Sequence, residues 1–476
     1  MKEKKRFSKL NIISLIDIII AIAFIILILR LDILPSKYLG FIIVMIFIIN
    51  TLAILFINLR KKFFKILGVI ISILSILISI IGGYYLYYGV DFLDKSFSNV
   101  PDEFTTGFYV VTYKDNNASN KKNIEGKVGY YKDTTNINKA GNYLEKTNKI
   151  FLTSYEDISP MFKDVSNRII PYVIIDKTTY DALFNLDTSL NKDDYKIICE
   201  LKVVIGRNTK KTSVKDRFNL YIGGHDFTGS LMDFNMLITV NTKTNKVLLT
   251  SMPRDYYIEE YGTNGRKDTL SYMGANGIEV NQKSLEKLFD TTIDYYMEIN
   301  THSLVEVVDS VGGVTFCSDE SFRTTHSMIL DSYDDSKGKK LYIKEGCQEL
   351  NGIEALTVAR ERINVYGGDS KRQQNCKKIF LGIIDKLKST NTITNYNSIL
   401  NSFSNLYETT MPREVITNIV RGIINGDDYK ISDQAVVGND GHDFVHLTNL
   451  KDWVIYPDMN SVELSKTNIK QILNEN

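Results

Sequence analysis

Apolar residues crowd the first ninety positions and then thin into shorter, alternating patches. Three runs, 12–31, 38–59 and 63–88, each approach or exceed the ~20 residues that cross a hydrocarbon core as a helix. The pattern predicts three transmembrane helices within 1–90. Asp17 interrupts the first run, where a carboxylate is costly; helix packing or a place near the interface accounts for it. A cleaved signal peptide fits poorly, because no small-residue cleavage site follows the first run and two more runs do. Residues 91–106 read as a linker. From 107 to 205, FYVVTY (108–113), GYYKD (129–133) and YVIID (172–176) predict strands, and 137–149 and 180–186 predict helices. This is a small accessory α/β unit without a visible catalytic constellation.

A larger unit, 206–476, follows. FNLYIGG (218–224), FNMLITV (234–240) and KVLLTSM (246–252) predict strands, the last two joined by a hairpin at 241–245. Helical spacing marks 283–289, 302–311, 352–362 and 371–387. The tail adds two helices and a strand at WVIYP (453–457). The fold class is α/β throughout.

Charge sets the orientation. The amino end, MKEKKRFSK, and the second short loop, with Arg60, Lys61, Lys62 and Lys65, are basic, whereas the first loop has only Arg30 and Lys37 beside Asp32. Basic segments stay cytoplasmic. Three spans therefore leave everything after about residue 90 outside the cell, with Tyr84, Tyr85, Tyr87 and Tyr88 as an interfacial aromatic belt. The balance of 57 Lys+Arg against 56 Asp+Glu gives no reason to expect a nucleic-acid partner. The four cysteines, 199, 317, 347 and 376, all fall in the external part, where disulfides persist. Cys317 and Cys347 are the first candidates for a pair, although spacing alone leaves pairing open. No C-x-x-C zinc spacing occurs, and the five histidines read as surface residues, with His442 and His446 in a loop.

Candidate chemistry gathers where strands end. Asp226 follows one strand, Asp233 precedes the next, and Arg254–Asp255 follow the third. Arg360, Arg362, Asp369 and Arg372 form a second group, in which Arg360 and Arg362, two apart, need not share a helix face. Arginine forks bind phosphate oxygens, and paired carboxylates hold a hard cation such as Mg²⁺. Together they suit phosphoryl transfer, although surface ion pairs account for the same residue types. Neither GxxxxGK[ST] nor G-x-S-x-G is present, which argues against a P-loop NTPase or an elbow serine hydrolase.

The segments FNLYIGGHD, ITVNTKTNKVLLTSMPRDYYI, KDTLSYMGANG, IDYYMEINTHSLVEVVDSVGGV, LNGIEALTVARERI and GGDSKRQQN, in this order, resemble the LytR-CpsA-Psr family of envelope phosphotransferases over about 217–388. The three spans and accessory unit look like its capsule-type members. The resemblance implies an α-β-α catalytic domain with a central mixed sheet. It also implies transfer of a glycopolymer phosphate from a polyprenyl-pyrophosphate carrier to a peptidoglycan hydroxyl, attaching capsule, teichoic acid or a similar polymer. By the same resemblance Asp226 and Asp233 would bind Mg²⁺ or Mn²⁺. Arg254 would hold the pyrophosphate, with Asp255 orienting it or activating the acceptor. Arg360 and Arg362 would clamp the pyrophosphate, and Asp369 and Arg372 would support the pocket. Three positions depart from the family pattern: Leu231 stands for an arginine, Cys376 for a glutamine and Thr269 for a lysine. Leu231 and Cys376 keep a second reading in view, a non-catalytic module that binds polyprenyl pyrophosphate.

Overall fold

A computed structural model describes residues 9–97, 99–207, 212–226, 229, 231–330, 338–387 and 407–476. Most of the basic amino end, residues 1–8, lies outside this set. Helices α1 (Lys9–Leu31), α2 (Ser36–Asn58) and α3 (Lys62–Ser96) are each long and apolar enough to cross a membrane. Asp17 is buried between α1 and α3, near Ser72 and Ser75. The expected linker over 91–106 is mostly regular structure: α3 continues to Ser96 and a strand starts at Glu103. The extension is amphipathic. Lys95 pairs with Asp91 at 2.8 Å and Arg30 with Asp94 at 2.9 Å, while Val90 and Leu93 pack with Leu31.

The accessory unit comprises β1 (Glu103–Tyr113), β2 (Gly126–Tyr131), α4 (Ile137–Glu145), β3 (Ile150–Tyr155), α5 (Ile158–Ser166), β4 (Tyr172–Asp176), α6 (Lys177–Leu186) and β5 (Tyr195–Gly206). Its strands form one sheet in the order β3-β2-β4-β1-β5. The helix expected over 137–149 stops at Glu145 because the chain must turn to enter β3. Both edge strands, β3 and β5, escape the sequence pattern; Lys196, Glu200 and Lys202 in β5 are the charges that guard an open edge.

The large unit begins with β6 (Arg217–His225), β7 (Met232–Asn241), β8 (Lys246–Ser251), β9 (Tyr257–Glu259), β10 (Lys267–Thr269), α7 (Leu270–Met273), α8 (Ile278–Phe289), β11 (Tyr295–Ile299) and α9 (Thr301–Ser310). It continues with β12 (Val314–Ser318), β13 (Phe322–Ser327), β14 (Lys340–Ile343), β15 (Gly346–Leu350), α10 (Gly352–Arg360) and α11 (Gly368–Leu387). It ends with β16 (Tyr407–Thr409), α12 (Arg413–Asn425), β17 (Lys430–Ala435), β18 (Gly438–Val445), β19 (Leu450–Pro457) and α13 (Met459–Asn474). The central sheet is mixed, in the order β16-β11-β6-β7-β8-β17, with β11 parallel to β6 and β17 parallel to β8. Period-two alternation supplies both of its faces. Tyr221, Leu237 and Leu248 pack with Leu285 and Phe289 of α8 and Val462 and Ile469 of α13. Phe218, Leu220, Met236 and Ile238 pack the other face with Phe380 and Leu381 of α11, Met411 just before α12 and Val415 of α12. The result is the expected α-β-α layering. The membrane helices dock beneath α12, where Ile416 joins Leu31, Val90 and Leu93, Arg421 pairs with Asp32 at 2.8 Å and Arg413 pairs with Asp94.

Cys317 and Cys347 sit opposite each other in the antiparallel pair β12–β15 and form a disulfide. It closes a loop of sequence separation 30, which the chain-entropy model values at about 3.6 kcal/mol. Reduction under native conditions is expected to lower the melting temperature of this unit by roughly 5–10 °C. Calorimetry with and without reductant measures it, and coincident curves would refute it.

Candidate active site

The site grows from the ends of β7 and β8 and the start of α11. Beyond β8, Pro253 turns the chain and sets Arg254 and Asp255 at the sheet's edge, where the Arg254 carbonyl accepts the Ser271 N–H at 2.8 Å. The Arg254 guanidinium donates to Asp233 Oδ1 at 2.7 Å and lies 3.3 Å from Asp255 Oδ1. Across the cleft, Gly367 and Gly368 both take positive φ (98° and 56°), which bends the chain so that α11 starts with Asp369 in its first turn. Arg372 Nε donates to Asp369 Oδ1 at 2.6 Å, and its NH1 reaches the Asp233 carbonyl at 2.9 Å, tying α11 to β7. Gln373 completes the bracket, donating to Asp369 Oδ2 at 2.8 Å. Arg254, Asp255, Asp233, Asp369 and Arg372, drawn from three separate segments, thus form one charged network.

Its electrostatics divide the carboxylates. Burial works against the charge of Asp233, but the Arg254 and Arg372 guanidiniums outweigh it and hold its pKa below the ordinary value. Asp369 is lowered in the same way, burial being overcome chiefly by Arg372. Asp255 goes the other way: burial raises its pKa, and Arg254 only partly offsets this. Burial also opposes the charge on Arg254, yet Asp233, Asp255 and Asp369 keep it firmly protonated. One arginine between carboxylates pushed in opposite directions is the pattern that sorts an anchored anion from a proton acceptor.

Above the network opens a cavity of about 890 Å³, lined in part by Arg254, Asp255, Arg362, Asp369, Gln373 and Lys377. Arg360 and Arg362 part company here. The helix expected over 352–362 ends at Arg360, because Glu361 leaves helical geometry. Arg360 donates to the Ile329 carbonyl at 3.1 Å, whereas Arg362 is exposed and lines the cavity. Glu361, which the sequence pattern does not single out, is fully buried and organises the turn. It accepts the Ile363 and Asn364 N–H groups at 2.8 Å each and the Thr325 hydroxyl at 3.0 Å. An acid between two arginines, R-E-R, is the signal that could have found it.

Asp226 and Asp233 bracket the β6–β7 loop. Asp226 is buried, and its Oδ1 accepts the Leu231 N–H at 3.2 Å. Among the described residues, neither lines the cavity directly. Two carboxylates supply only hard oxygen donors, a set that fits Mg²⁺ or Mn²⁺. His302 and His442 are exposed as expected, although His442 lies in β18 rather than a loop, whereas His225 and His446 need correction. His446 is nearly buried, with Nδ1 2.6 Å from Glu260 Oε2, and His225 Nε2 lies 2.5 Å from Glu298 Oε1. Glu260, Asp268 and His446 bring ligand-type atoms within 4.8 Å of one another. Internal bonds already engage these carboxylates: Asn276 and His446 serve Glu260, and the Thr269 and Leu447 N–H groups serve Asp268. The group fastens β10 to the β18–β19 hairpin. His446 lies far along the chain from Glu260 and Asp268, so no local spacing announces the group.

A model of the LytR_cpsA_psr family matches residues 180–472, reaching beyond the motif-bearing stretch on both sides. The chain belongs to the LytR_cpsA_psr family. The teichoic acid transferase TagU of Bacillus cereus strain AH820, named as a polyisoprenyl-teichoic acid–peptidoglycan teichoic acid transferase, is 28% identical over 237 residues, covering 49% of this chain and 73% of that one. TagU of Bacillus licheniformis is 28% identical over 212 residues, covering 42% and 64%. Among solved structures, TagV of B. subtilis superposes with a TM-score of 0.45 at 22% identity, covering 56% of this chain and 99% of that one.

Within this LytR_cpsA_psr domain the three departures have separate consequences. Leu231 lines the cavity, so an apolar group faces the charged network there. Cys376 is half-buried beneath the site, its thiol donating to the Ala359 carbonyl at 3.3 Å. Burial, only partly opposed by Arg372, pushes the thiol pKa up to about 11, so it packs as a neutral group. Thr269 caps α7, its hydroxyl accepting the Tyr272 N–H at 3.3 Å. Among the described residues, the cations that line the cavity are Arg254, Arg362 and Lys377, and Lys377 pairs with Asp433.

Proposed function

We propose that this protein transfers a glycopolymer phosphate from a polyprenyl-pyrophosphate carrier to a peptidoglycan hydroxyl on the outer side of the membrane. Membership of a family whose transferases attach polymers to peptidoglycan supports the reaction class. The observation that carries the reading is Arg254 held between Asp233 and Asp255 at a cavity rimmed by further cations. The acceptor oxygen attacks the polymer-side phosphorus, and the bond to the bridging oxygen breaks. Polyprenyl phosphate leaves with that oxygen's electron pair. Asp255, in the cavity with a raised pKa, takes the acceptor hydroxyl's proton. Arg254 and Arg362 stabilise the charge that develops on the phosphoryl oxygens. Asp233 and Arg372 hold Arg254 in place and α11 against the sheet. Mg²⁺ or Mn²⁺ on Asp226 and Asp233 would add charge neutralisation for the pyrophosphate. Three apolar helices suit an enzyme whose donor is a membrane lipid.

The test uses the full chain in lipid nanodiscs, a short-chain polyprenyl-pyrophosphate glycan, soluble peptidoglycan and Mg²⁺. Polymer is expected on the peptidoglycan, with loss on chelation. Donor binding without transfer for a range of glycans would favour the second reading, a non-catalytic lipid-pyrophosphate module, to which Leu231 lends support. Leu231→Arg would restore a charge-assisted contact typically worth ~1.5–3 kcal/mol. It is expected to tighten donor binding about tenfold. Unchanged affinity would mean that Arg362 and Lys377 already supply the charge.

A further inference from the structure

Part of the cavity's lining is left unused by the phosphate chemistry, and it comes mainly from the β18–β19 hairpin. Here the lining is Asp440, Asp452, Trp453 and, from α7, Tyr272. Trp453 is the only tryptophan of the chain. It is 45% exposed and braced edge-on by His442, its cross-strand neighbour, at 5.3 Å between ring centroids. Asp452 is fixed on both sides: Oδ2 accepts the Tyr272 hydroxyl at 2.7 Å and Oδ1 accepts the Trp453 N–H at 2.7 Å. The hairpin is also registered against the reaction centre, since the Ile455 N–H donates to the Asp255 carbonyl at 2.8 Å. Trp453 lies two residues along the same strand, about 7 Å away at roughly 3.3 Å per residue.

We propose that this part of the cavity is the acceptor subsite: it binds a saccharide unit of the glycan strand that receives the polymer. The inference rests on the transferase reading above and deepens it. Sugars present an apolar C–H face and an edge of hydroxyl donors. An exposed indole and an orientated carboxylate meet both needs. Charge chooses between the two glycans of the reaction. The donor is polyanionic and belongs with the arginines, whereas Asp440 and Asp452 repel phosphate and accept hydroxyl hydrogens. The acceptor hydroxyl bound here faces Asp255, the group assigned to take its proton.

Because Trp453 is the sole indole, its emission reports on this site without turnover. Full-length protein in nanodiscs is titrated with a neutral N-acetylglucosamine oligosaccharide, with a soluble peptidoglycan glycan fragment and, separately, with a short-chain polyprenyl-pyrophosphate disaccharide. A saturable emission change with the first two ligands is expected, retained in Arg254→Lys and weakened at least fivefold in Asp452→Asn, where the indole remains. Calorimetry of Trp453→Ala is expected to show saccharide affinity reduced tenfold or more. Emission that no saccharide moves, or that only the pyrophosphate ligand moves, overturns the assignment even if transfer proceeds. Saccharide binding at Trp453 in a protein that never transfers polymer would sink the transferase reading and leave the subsite standing.

Discussion

Arg254→Lys is expected to lower kcat/KM for polymer transfer by about 10²–10³ while leaving the protein folded, because removal of one preorganised donor to a developing anion has that effect. Lysine preserves the positive charge between Asp233 and Asp255 but loses the fork that spans them. Alanine is the less clean substitution. It would leave Asp233 and Asp255, both half-buried in the network, without their shared cation. Stranding one partner of a fully buried pair costs about 3–5 kcal/mol, so Arg254→Ala, in a half-buried network, is expected to lose part of that stability together with activity. The double variant Arg254→Ala/Asp233→Asn should recover part of the stability and none of the activity. Steady-state kinetics and thermal unfolding of the three variants separate the two roles. Full transfer by Arg254→Lys would remove Arg254 from the reaction centre.

Arg372→Met is expected to have the largest effect on stability. The Arg372 side chain is buried, and its bonds to Asp369 and to the Asp233 carbonyl are the ion pair and the tether between α11 and the sheet. Its removal leaves the Asp369 carboxylate with the Gln373 amide and the more distant charge of Arg254, a loss of about 3 kcal/mol and roughly 10 °C in melting temperature. Acid sensitivity should change with it. Asp233 and Asp369 have lowered pKa values in the folded protein. Their contribution is therefore complete above the ordinary carboxylate value of about 3.9 and is lost as pH falls through the lowered folded values. Without Arg372 the Asp369 value rises and acid unfolding begins at a higher pH. Replacing both partners, as Arg372→Met/Asp369→Leu, should regain most of the stability, since a buried pair exchanged for apolar groups is often neutral. Melting curves at pH 3–7 test this, and a wild-type acid midpoint for Arg372→Met would contradict it.

Much of the architecture is legible in the order of residues alone. Continuous apolar runs announce membrane helices because a bilayer demands length and little else. The strands β6, β7, β8 and the helices α9 and α11 are legible because each buries a periodic face. Boundaries are less so. α10 ends at Arg360 rather than 362 because Glu361 is drawn into a buried turn by partners from β13, a tertiary demand that no local propensity expresses. The edge strands β3 and β5 escape the pattern because an edge buries too little to keep a clean alternation. His446 reads as a surface residue because its partners, Glu260 and Asp268, lie some 180 residues away in sequence.

The sequence by itself determined the anchor, the α/β class, the family motifs and the residue types of the charged site, since these depend on composition, periodicity and ordered spacing. Only the tertiary structure decided which of those residues act together. It joined Arg254 to Asp233 and Asp255, set Arg372 beneath them, and turned Arg362 toward the cavity while Arg360 bonds elsewhere. It also brought Trp453 and Asp452, some 200 residues further along the chain, into the lining of the same cavity. The physical reason is that charge coupling and cavity shape are set by distance through space, whereas sequence carries distance only along the chain.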